Sequence, residues 1–457
     1  MEAGLFRFLR FSLGLEGEVK GLLDGRKGFF DWDACYQFAK RQTLVGVLFD
    51  GIQRLPKELA PARPLLLRWL SDSESIRRRN MRMDRASAYI YNKVSAAGFR
   101  CCILKGQGNA LLYPHPSSRT PGDVDVWVMA NREELRHIAL SLTEGDGSSL
   151  QESLNHIGLT VYGVSVELHS TPALLNSPLH NSRLQKWLKR NADLQCSNRI
   201  ALPNNAGEVA VPTLSFNIIY QLCHLFHHCF YEGVGLRQIV DYYLVLKNTD
   251  FSGNTDEGAG NTDGDEVLLN TDFTDSTDSS SGDFEGDGCF LNTDYTDYTD
   301  RFSGNTDEGC FLLNTDCADF LDSSSGGLGE VDSGGALVAL QDELKWLGLW
   351  GFAGAVMYVL REVMGLDEKR MVCAPDERRG RLLLEEIMAG GNFGHYDERN
   401  HFGQGALWHN IQRFRRDWRM LRFYPSEALS EPLFRVCHFL WRWKQKHTGK
   451  PKERNRN

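Results

Sequence analysis

Two aspartates one residue apart open the short apolar run "DVDVWV" at 123–128. In a strand, Asp123 and Asp125 would share one face with Trp127, while the three valines would share the other. Two carboxylates on neighbouring positions of one face repel each other unless a cation lies between them. Carboxylate oxygens are preferred ligands of Mg²⁺, which keeps positions free for substrate phosphates. The stretch therefore predicts a magnesium site at the start of a strand.

A third acid lies on a later run, "VSVELH" at 164–169. Strand alternation places Glu167 on the polar face together with Ser165 and His169. If the two strands are neighbours in one sheet, Glu167 approaches the aspartates, and three carboxylates then suffice for Mg²⁺ or, alternatively, Mn²⁺. Two such ions roughly 4 Å apart clamp the attacking and leaving oxygens of an in-line phosphoryl displacement. Asp125 or Glu167 would also help to deprotonate the acceptor, and the sequence does not choose between them.

The loop before the aspartates carries groups that suit a triphosphate. Lys105 and Gly106 follow the apolar strand "CCIL" and open the helical-looking "QGNALLY". Backbone N–H groups at a helix start, together with one lysine, are predicted to bind phosphate oxygens. Arg119, four residues before Asp123, is predicted to add a second cation. Positioning and charge neutralisation of this kind are most of what phosphoryl transfer requires.

Each of these motifs also has an ordinary structural explanation. A D-x-D sequence is more often a solvated strand end, Lys-Gly is usually a simple turn, and E-L-H is usually a strand with a wet polar side. The order of the elements favours a site: strand, Lys-Gly turn, helix, loop with an arginine, D-x-D strand, and a third acid on a later strand.

The hydrophobic periodicity predicts an α+β protein with a small mixed sheet and many helices. Residues 1–95 have helical spacing, and 96–200 form an α/β core. In this core, "REELRHIALSL" is predicted as a helix, and "LTVYGV" and "VSVELH" as a strand pair that turns near Gly163. Helical patterns return at 201–247, interrupted by a Gly-Val-Gly turn, and at 336–457.

The segment 248–335 differs from the rest of the chain. It holds 17 Asp and 5 Glu against one Arg, so its charge is −21 and the other 369 residues carry +12 of the total of −9. The octad "FSGNTDEG" occurs in it twice, at 251–258 and 302–309. So polar a composition can bury too little apolar surface to offset the conformational entropy that the chain loses on folding, so we predict a disordered acidic insertion. Its spacing matches no EF-hand loop, which disfavours calcium binding. The basic remainder suits a polyanionic ligand such as a nucleoside triphosphate.

Cysteine usage and apolar runs indicate the compartment. The chain has 11 cysteines and no C-x-x-C pair, which is typical of reduced thiols in a cytosolic protein. The opening "MEAGLFRFLRFSLGLEGEVK" mixes charges with its apolar residues, unlike a signal peptide. The uncharged apolar run 347–360 is too short to span a bilayer and predicts a buried helix. We expect a cytoplasmic location and no membrane partner.

The motif order "LKG…LLYP…R…GDVDVWV", followed by "VELH", resembles the uncharacterised nucleotidyltransferases, a branch of the polymerase-β-like superfamily. The resemblance extends to "HLFHHCFYEGVGLRQIVDYYLVL" and, more loosely, to the helical leader and "FRRDWRMLRFYPSEAL". It implies a nucleotidyltransferase-like core in which Asp123 and Asp125 bind catalytic metal ions and Glu167 is the third acid. In the wider superfamily a Gly-Ser opens the nucleotide-binding helix, whereas here Lys105 and Gly106 take that place.

The helical stretch 214–247 contains further polar residues. Cys223, Cys229 and the three histidines between them lack the paired short spacings of a structural zinc site, which favours helix packing. Arg237 and Asp241 are four residues apart, so we predict an intrahelical ion pair. Because the family resemblance includes this stretch, a secondary hypothesis places Arg237 or His224 beside the carboxylates.

These features together predict a Mg²⁺-dependent nucleotidyltransferase. It would transfer a nucleoside monophosphate from a nucleoside triphosphate to an acceptor hydroxyl and release pyrophosphate. The acceptor, whether a small molecule, a sugar, a protein or an RNA end, is not specified by the sequence. The alternatives are a nucleotide-binding regulatory or interaction protein without turnover and, third, a kinase-type phosphotransferase that releases ADP. Because the aspartates repel, Asp125→Asn is expected to leave the metal-free protein as stable as the wild type, or slightly more stable.

Overall fold

The computed structural model describes residues 2–17, 30–143, 145, 150–153, 155–249, 251, 333–397 and 406–448. The segment predicted to be a disordered insertion, 248–335, lies outside these residues except at its two ends. The described chain combines a small mixed sheet with many helices, which confirms the predicted α+β class.

The N-terminal region is helical, as predicted. It contains helices α1 (Glu2–Ser12), α2 (Trp32–Arg41), α3 (Val45–Gln53) and α4 (Arg63–Ala96). Helix α4 is 34 residues long and has proline in its first turn, where a missing N–H costs nothing. It ends just before Gly98, whose φ of 86° is the left-handed conformation that commonly stops a helix.

A five-stranded mixed sheet forms the centre of the α/β core. Its strands are β1 (Cys101–Leu104), β2 (Val124–Val128), β3 (Gln151–Glu152), β4 (His156–Val161) and β5 (Val164–His169). The strand order is β1-β2-β5-β4-β3; β2 and β5 are parallel, and the other pairs are antiparallel. The predicted turn between β4 and β5 lies at Tyr162 and Gly163, with φ of 51° and 70°. Two positive φ values suit a two-residue hairpin turn.

Two helices connect these strands. Helix α5 (Gly106–Ala110) follows β1, and helix α6 (Arg132–Leu142) follows β2. The predicted helix "REELRHIALSL" coincides with α6, because the Asn131 side chain caps its first turn and the Asn131 backbone N–H donates to the Glu134 carboxylate.

The two faces of β2 have different environments. Val124, Val126 and Val128 are at most 2% exposed and fill the core on one side. On the other side Trp127 stacks on Phe216 of helix α8 (Leu214–Tyr231), with ring centroids 5.9 Å apart. Helix α8 therefore lies against the face of the sheet that carries the acids.

A second sheet of two strands follows the core and was not predicted. Helix α7 (Pro178–Ser197) leads to β6 (Arg199–Leu202) and β7 (Gly207–Ala210), which pair antiparallel. The β structure thus continues beyond residue 200, where the sequence pattern placed the end of the α/β core. Helix α9 (Leu236–Asn248) comes after α8, and the break between them lies at the predicted Gly-Val-Gly turn.

The C-terminal region contains five helices in the described residues: α10 (Ser333–Trp346), α11 (Trp350–Met364), α12 (Glu377–Gly390), α13 (Ala406–Leu421) and α14 (Pro425–Thr448). The apolar run at 347–360 forms most of α11 and is buried, as predicted. Phe352 of α11 stacks on Phe226 of α8 with centroids 4.6 Å apart. Within the described ranges, no single helix has the length and apolarity to cross a membrane, although 335–346 and 350–364, bent by 119°, pass that test as a pair.

Candidate metal and nucleotide site

The three predicted acids meet at one place on the sheet. Strands β2 and β5 are parallel neighbours, and Asp125 is the register partner of Glu167. Carboxylate oxygens of Asp123, Asp125 and Glu167 all lie within 4.8 Å of one another. The sequence prediction required the two strands to be neighbours and their acids to share one face. Both conditions are met, because alternate residues of a strand point to the same face of the sheet.

Two side chains neutralise this acidic group in the structure. The Lys105 Nζ lies 2.7 Å from Asp125 Oδ2, and the His169 Nε2 lies 3.0 Å from Asp125 Oδ1. The same His169 nitrogen lies 3.2 Å from Glu167 Oε2. The repulsion expected from two neighbouring aspartates is thus offset by a lysine and a histidine that contact Asp125.

Burial and charge affect the three carboxyl groups differently. Burial alone would raise the pKa of Asp125, but Lys105 and the hydrogen bond from His169 outweigh it and hold that pKa well below its usual value. The pKa of Glu167 also lies below its usual value, because the His169 hydrogen bond outweighs burial. For Asp123, burial and the charges of the other two acids raise the pKa to about 7. Asp123 is therefore the acid that bears the repulsion.

Two hydrogen bonds favour the charged form of His169 in the metal-free chain. Burial would lower its pKa, but hydrogen bonds to Asp125 and Glu167 raise it to about 9. Sequence reasoning placed His169 on the polar face and gave it no role. The signal was present, since His169 follows Glu167 by two residues on the same strand.

Lys105 lies in an uncommon backbone conformation. Its φ and ψ are 50° and −114°, a sparsely populated region for a residue with a side chain. The Nζ is held between Asp125 and His224 Nε2, which lies 3.3 Å away. The side chain is 17% exposed. This position is consistent with the prediction that Lys105 binds phosphate, which stays a prediction.

Gly106 begins helix α5, as the sequence suggested, but the helix has only five residues. The phosphate site that was predicted from its N-terminus therefore lacks a full-length helix dipole, which builds up over several turns. The prediction that Gly106 contacts phosphate stays a prediction: any such contact there would depend on single backbone N–H groups and on Lys105.

Arg119 lies elsewhere than predicted. Its guanidinium forms two hydrogen bonds of 2.8 Å with the carboxylate of Asp241 in α9, and Tyr113 donates to the same carboxylate at 2.7 Å. Arg119 is 3% exposed. The prediction that it offers a second cation to a phosphate is therefore corrected, because a buried, bidentate ion pair leaves it no access to a ligand.

The predicted ion pair between Arg237 and Asp241 is also corrected. Asp241 pairs with Arg119, while Arg237 Nη1 donates to the Thr120 carbonyl at 2.9 Å. Burial would raise the pKa of Asp241, but Arg119 holds it below its usual value. The sequence correctly indicated that Asp241 is structural but could not show that its partner comes from a loop 122 positions earlier in the chain.

The loop that leads into Asp123 is fixed at several points. Asn80 in α4 donates to the carbonyls of Ser117 and Arg119, at 2.9 and 2.8 Å. Arg79 donates to the Gly122 carbonyl at 3.1 Å. With the Arg237 contact to Thr120, these bonds fix the direction in which Asp123 and Asp125 leave the loop.

The histidines of α8 lie beside the acids. His224 Nε2 is 2.9 Å from His228 Nε2, and burial, followed by Lys105, holds the pKa of His224 well below its usual value. Among the described residues, the groups of side chains arranged to hold a metal do not include these histidines. The hypothesis that His224 lines the site agrees with its distance to Lys105.

The donor set of the three acids suits a hard divalent cation. Mg²⁺ takes oxygen ligands and is bound through a few carboxylates, with further positions left for phosphates. Asp123, Asp125 and Glu167 provide such oxygens on one face. The side chain of Glu167 is 30% exposed.

The comparisons with known proteins give the family. A family model described as "Uncharacterised nucleotidyltransferase" matches residues 29–258, half of the chain. One solved structure, an antigenic nucleotidyltransferase-like protein from Paracoccidioides brasiliensis, matches with 16% identity and a TM-score of 0.24 over 36% of this chain and 75% of that one. The curated proteins gave no significant match. By the family match, which contains β1 to β5 and the three acids, the chain belongs to the uncharacterised nucleotidyltransferase family.

Proposed function

We propose that this chain is a Mg²⁺-dependent nucleotidyltransferase that moves a nucleoside monophosphate from a nucleoside triphosphate to an acceptor hydroxyl and releases pyrophosphate. One observation carries the proposal: three carboxylates from β2 and β5 lie within 4.8 Å of one another inside the segment that matches the family. Carboxylates grouped in this way can hold the divalent ions that supply charge stabilisation to a phosphoryl transfer.

Asp123, Asp125 and Glu167 would hold the metal ions. When bound, such ions bring together the phosphate oxygens and neutralise the charge that develops during transfer. The chain's own contribution is positional. The loop fixed by Asn80 and Arg79 holds the two aspartates in place, so their alignment is set during folding.

We assign Lys105 to the triphosphate. Its ammonium lies at the edge of the acidic group and is 17% exposed, so it can meet a ligand that enters from the open side. Burial would lower the pKa of Lys105, but Asp125 raises it above its usual value, so the lysine is charged at neutral pH. Its role would be to bind and orient phosphate oxygens.

A silent nucleotide-binding protein is the second candidate. The observation in its favour is the ion pair between Lys105 and Asp125, because a lysine that stays on this carboxylate would compete with a metal ion. The two candidates differ in product: only the transferase releases pyrophosphate. A kinase-type phosphotransferase would instead move the terminal phosphate.

The test uses nucleoside triphosphates labelled at either the α or the γ phosphorus, incubated with the full chain, Mg²⁺ and cell extract. The proposal expects α-label in an acceptor together with pyrophosphate. Glu167→Gln should lower this transfer by about a hundredfold or more. Asp193→Asn, at an exposed carboxylate paired with Arg100, is the matched control and should transfer like the wild type.

The other outcomes of this experiment distinguish the alternative functions. Transfer of γ-label with release of a diphosphate identifies a kinase. Nucleotide binding without transfer of either label supports the silent protein. Wild-type transfer by Glu167→Gln contradicts the assignment of the acids.

A further inference from the structure

Two histidines flank Glu167 on the same face of the sheet. His156 of β4 and His169 of β5 are direct partners in the antiparallel register, so their side chains point to one side. Their ring centroids are 5.2 Å apart. The register partner of Glu167 on β4 is Gly158, which has no side chain to separate Glu167 from His156.

The spacing of the three side chains fits one metal ion. His156 Nε2 lies 3.6 Å from Glu167 Oε1, and His169 Nε2 lies 3.2 Å from Glu167 Oε2. One ligand atom from each residue falls within a group no wider than 4.8 Å. Bonds of about 2.1 Å place neighbouring ligands about 3.0 Å apart in an octahedron and about 3.4 Å apart in a tetrahedron. The observed distances, each to a different carboxylate oxygen of Glu167, are close to these values.

Both imidazole rings present the same nitrogen to the acid. The Nδ1 atoms of His156 and His169 are buried and have no hydrogen-bond partner among the described residues. Their polar contacts are made by Nε2: that of His156 faces Glu167, and that of His169 faces both Glu167 and Asp125. The imidazole of His169 is 7% exposed and that of His156 is 24% exposed, so the group is shielded and still reachable.

We propose that His156, Glu167 and His169 form a second metal position, beside the three carboxylates and sharing Glu167 with them, that binds a first-row transition metal such as Mn²⁺ in preference to Mg²⁺. Imidazole nitrogen is a good ligand for transition metals, whereas Mg²⁺ favours oxygen. In the metal-free chain the Nε2 of His169 contacts Asp125 and Glu167, so the metal ion would take the place of the Nε2 proton and its binding would release that proton. The proposal goes beyond nucleotidyl transfer, because it concerns which metal binds and needs neither nucleotide nor acceptor.

The experiment measures Mn²⁺ binding to the full chain after chelator treatment. Electron paramagnetic resonance of Mn²⁺ gives the affinity, and pulsed measurements detect coupling to ¹⁴N from a coordinating imidazole. We expect nitrogen coupling in the wild type that persists in a large excess of Mg²⁺. Coupling to no nitrogen, or Mn²⁺ fully displaced by Mg²⁺, overturns the proposal and leaves both histidines as hydrogen-bond partners of the acids.

His156→Gln is the variant, because His156 is partly exposed and its replacement leaves His169 and Asp125 in contact. It should weaken Mn²⁺ binding by about tenfold or more and reduce the nitrogen coupling. His137→Gln, at an exposed position of α6, is the matched control and should behave like the wild type. Equal affinity in His156→Gln and the wild type contradicts the site. Should His156→Gln fail to fold, the wild-type nitrogen coupling alone decides.

The outcome is separable from that of the proposed function. Nitrogen-coupled Mn²⁺ in a chain that transfers no nucleotide supports the metal position and contradicts the transferase. Oxygen-coordinated metal in a chain that does transfer nucleotide contradicts only the metal position.

Discussion

Asp123 and Asp125 are two residues apart and have opposite electrostatic environments. Asp125 contacts two cationic groups, Lys105 and His169, whereas Asp123 experiences mainly burial and the negative charges of its neighbours. The sequence indicated that the two acids repel each other, but only the fold shows which of them has the unfavourable electrostatic environment. The two aspartates therefore provide a matched pair of variants.

Asp123→Asn should stabilise the metal-free protein as the pH rises. The pKa of the Asp123 carboxyl is raised from 3.8 to about 7. Its contribution to stability is therefore fully present at pH values below 3.8 and is lost as the pH rises from there toward about 7. The variant has no such loss, so its melting temperature should exceed that of the wild type by a gap that widens from pH 5 to 7 and is constant above. Thermal melts with chelator at four pH values measure the gap. A gap that narrows with pH contradicts the assignment.

Asp125→Asn should have the opposite effect. The change leaves Lys105 and His169 without their shared carboxylate, and breaking a buried ion pair costs on the order of 3–5 kcal/mol. This corrects the expectation from the sequence that the variant would be as stable as the wild type. Melts of the metal-free protein at pH 7 test the difference. If both aspartate variants shift the melting temperature in the same direction, the pairing of Asp125 is wrong.

Lys105→Met should weaken nucleotide binding and also lower stability. The side chain is only 17% exposed and is paired with Asp125, so the change also removes a shielded ion pair. Loss of the pair should cost about 1–3 kcal/mol. Lys189→Met, at an exposed position of α7, is the control. Calorimetry with a nucleoside triphosphate and thermal melts measure both effects, and unchanged nucleotide affinity removes Lys105 from the site.

At the scale of elements, the loop before β2 depends on how closely helix α3 packs against it. Gly46 in α3 lies under the turn at 116–118, and a Cβ added there would overlap the carbonyl oxygen of Ser118. The neighbouring Ser118 Oγ donates to Asp50 at 2.9 Å. The absence of a side chain at Gly46 thus sets the distance between the helical leader and the loop that carries the aspartates.

Gly46→Ala should therefore destabilise the protein and reduce nucleotidyl transfer. Alanine favours a helix by about 1 kcal/mol over glycine, but the overlap with backbone costs on the order of 1–3 kcal/mol and displaces the loop. Gly390→Ala, in helix α12 with nothing near the added Cβ, is the control and should be neutral or stabilising. Denaturant unfolding and the labelled-nucleotide assay measure the two effects. A stabilised Gly46→Ala variant contradicts the close packing.

The elements also show which parts of the site a sequence can predict. Period-two alternation was enough to place Asp123, Asp125 and Glu167 on one face, because a strand has only two faces. The partners of Arg119 and Lys105 could not be predicted in this way. Arg119 binds a carboxylate on α9, and Lys105 contacts His224 on α8, and such distant contacts depend on how helices pack against the sheet. The strands β6 and β7 were missed because they are short and only half-buried.

At the scale of the whole molecule, the described residues within 1–253 and 325–437 form one compact unit. Helices from both ends of the chain contribute to it: Arg10 of α1 donates to the Val363 carbonyl of α11 at 3.0 Å, and Gln42 donates to the Ile387 carbonyl of α12 at 3.1 Å. The helical leader and the C-terminal helices thus share contacts that do not involve the acidic segment.

Deleting 252–332 and joining the ends with about ten Gly and Ser residues should leave the protein folded. The deleted composition offers little apolar surface for a core, and a connection about eight times shorter costs about 2 kcal/mol less closure entropy. Phe251 is kept because its ring packs against the core. A chain with the segment scrambled at equal composition is the control for a role of the repeats. Melting and nucleotidyl transfer are the measurements, and loss of the cooperative melt would show that the segment belongs to the core.

The stacking of Phe226 on Phe352 has a consequence for biosynthesis. A ribosome adds about 5–20 residues per second, so the 126 positions from 226 to 352 take roughly 6–25 s. During this interval α8 has emerged without the aromatic partner that finally covers it, and an uncovered apolar helix is a target for chaperones and aggregation. The 22 acids of 248–335 are made in the same interval, and the net charge of −21 on this segment would favour solubility of the nascent chain. Neutralising these acids should therefore lower the soluble yield during synthesis more than it lowers the melting temperature of the finished protein.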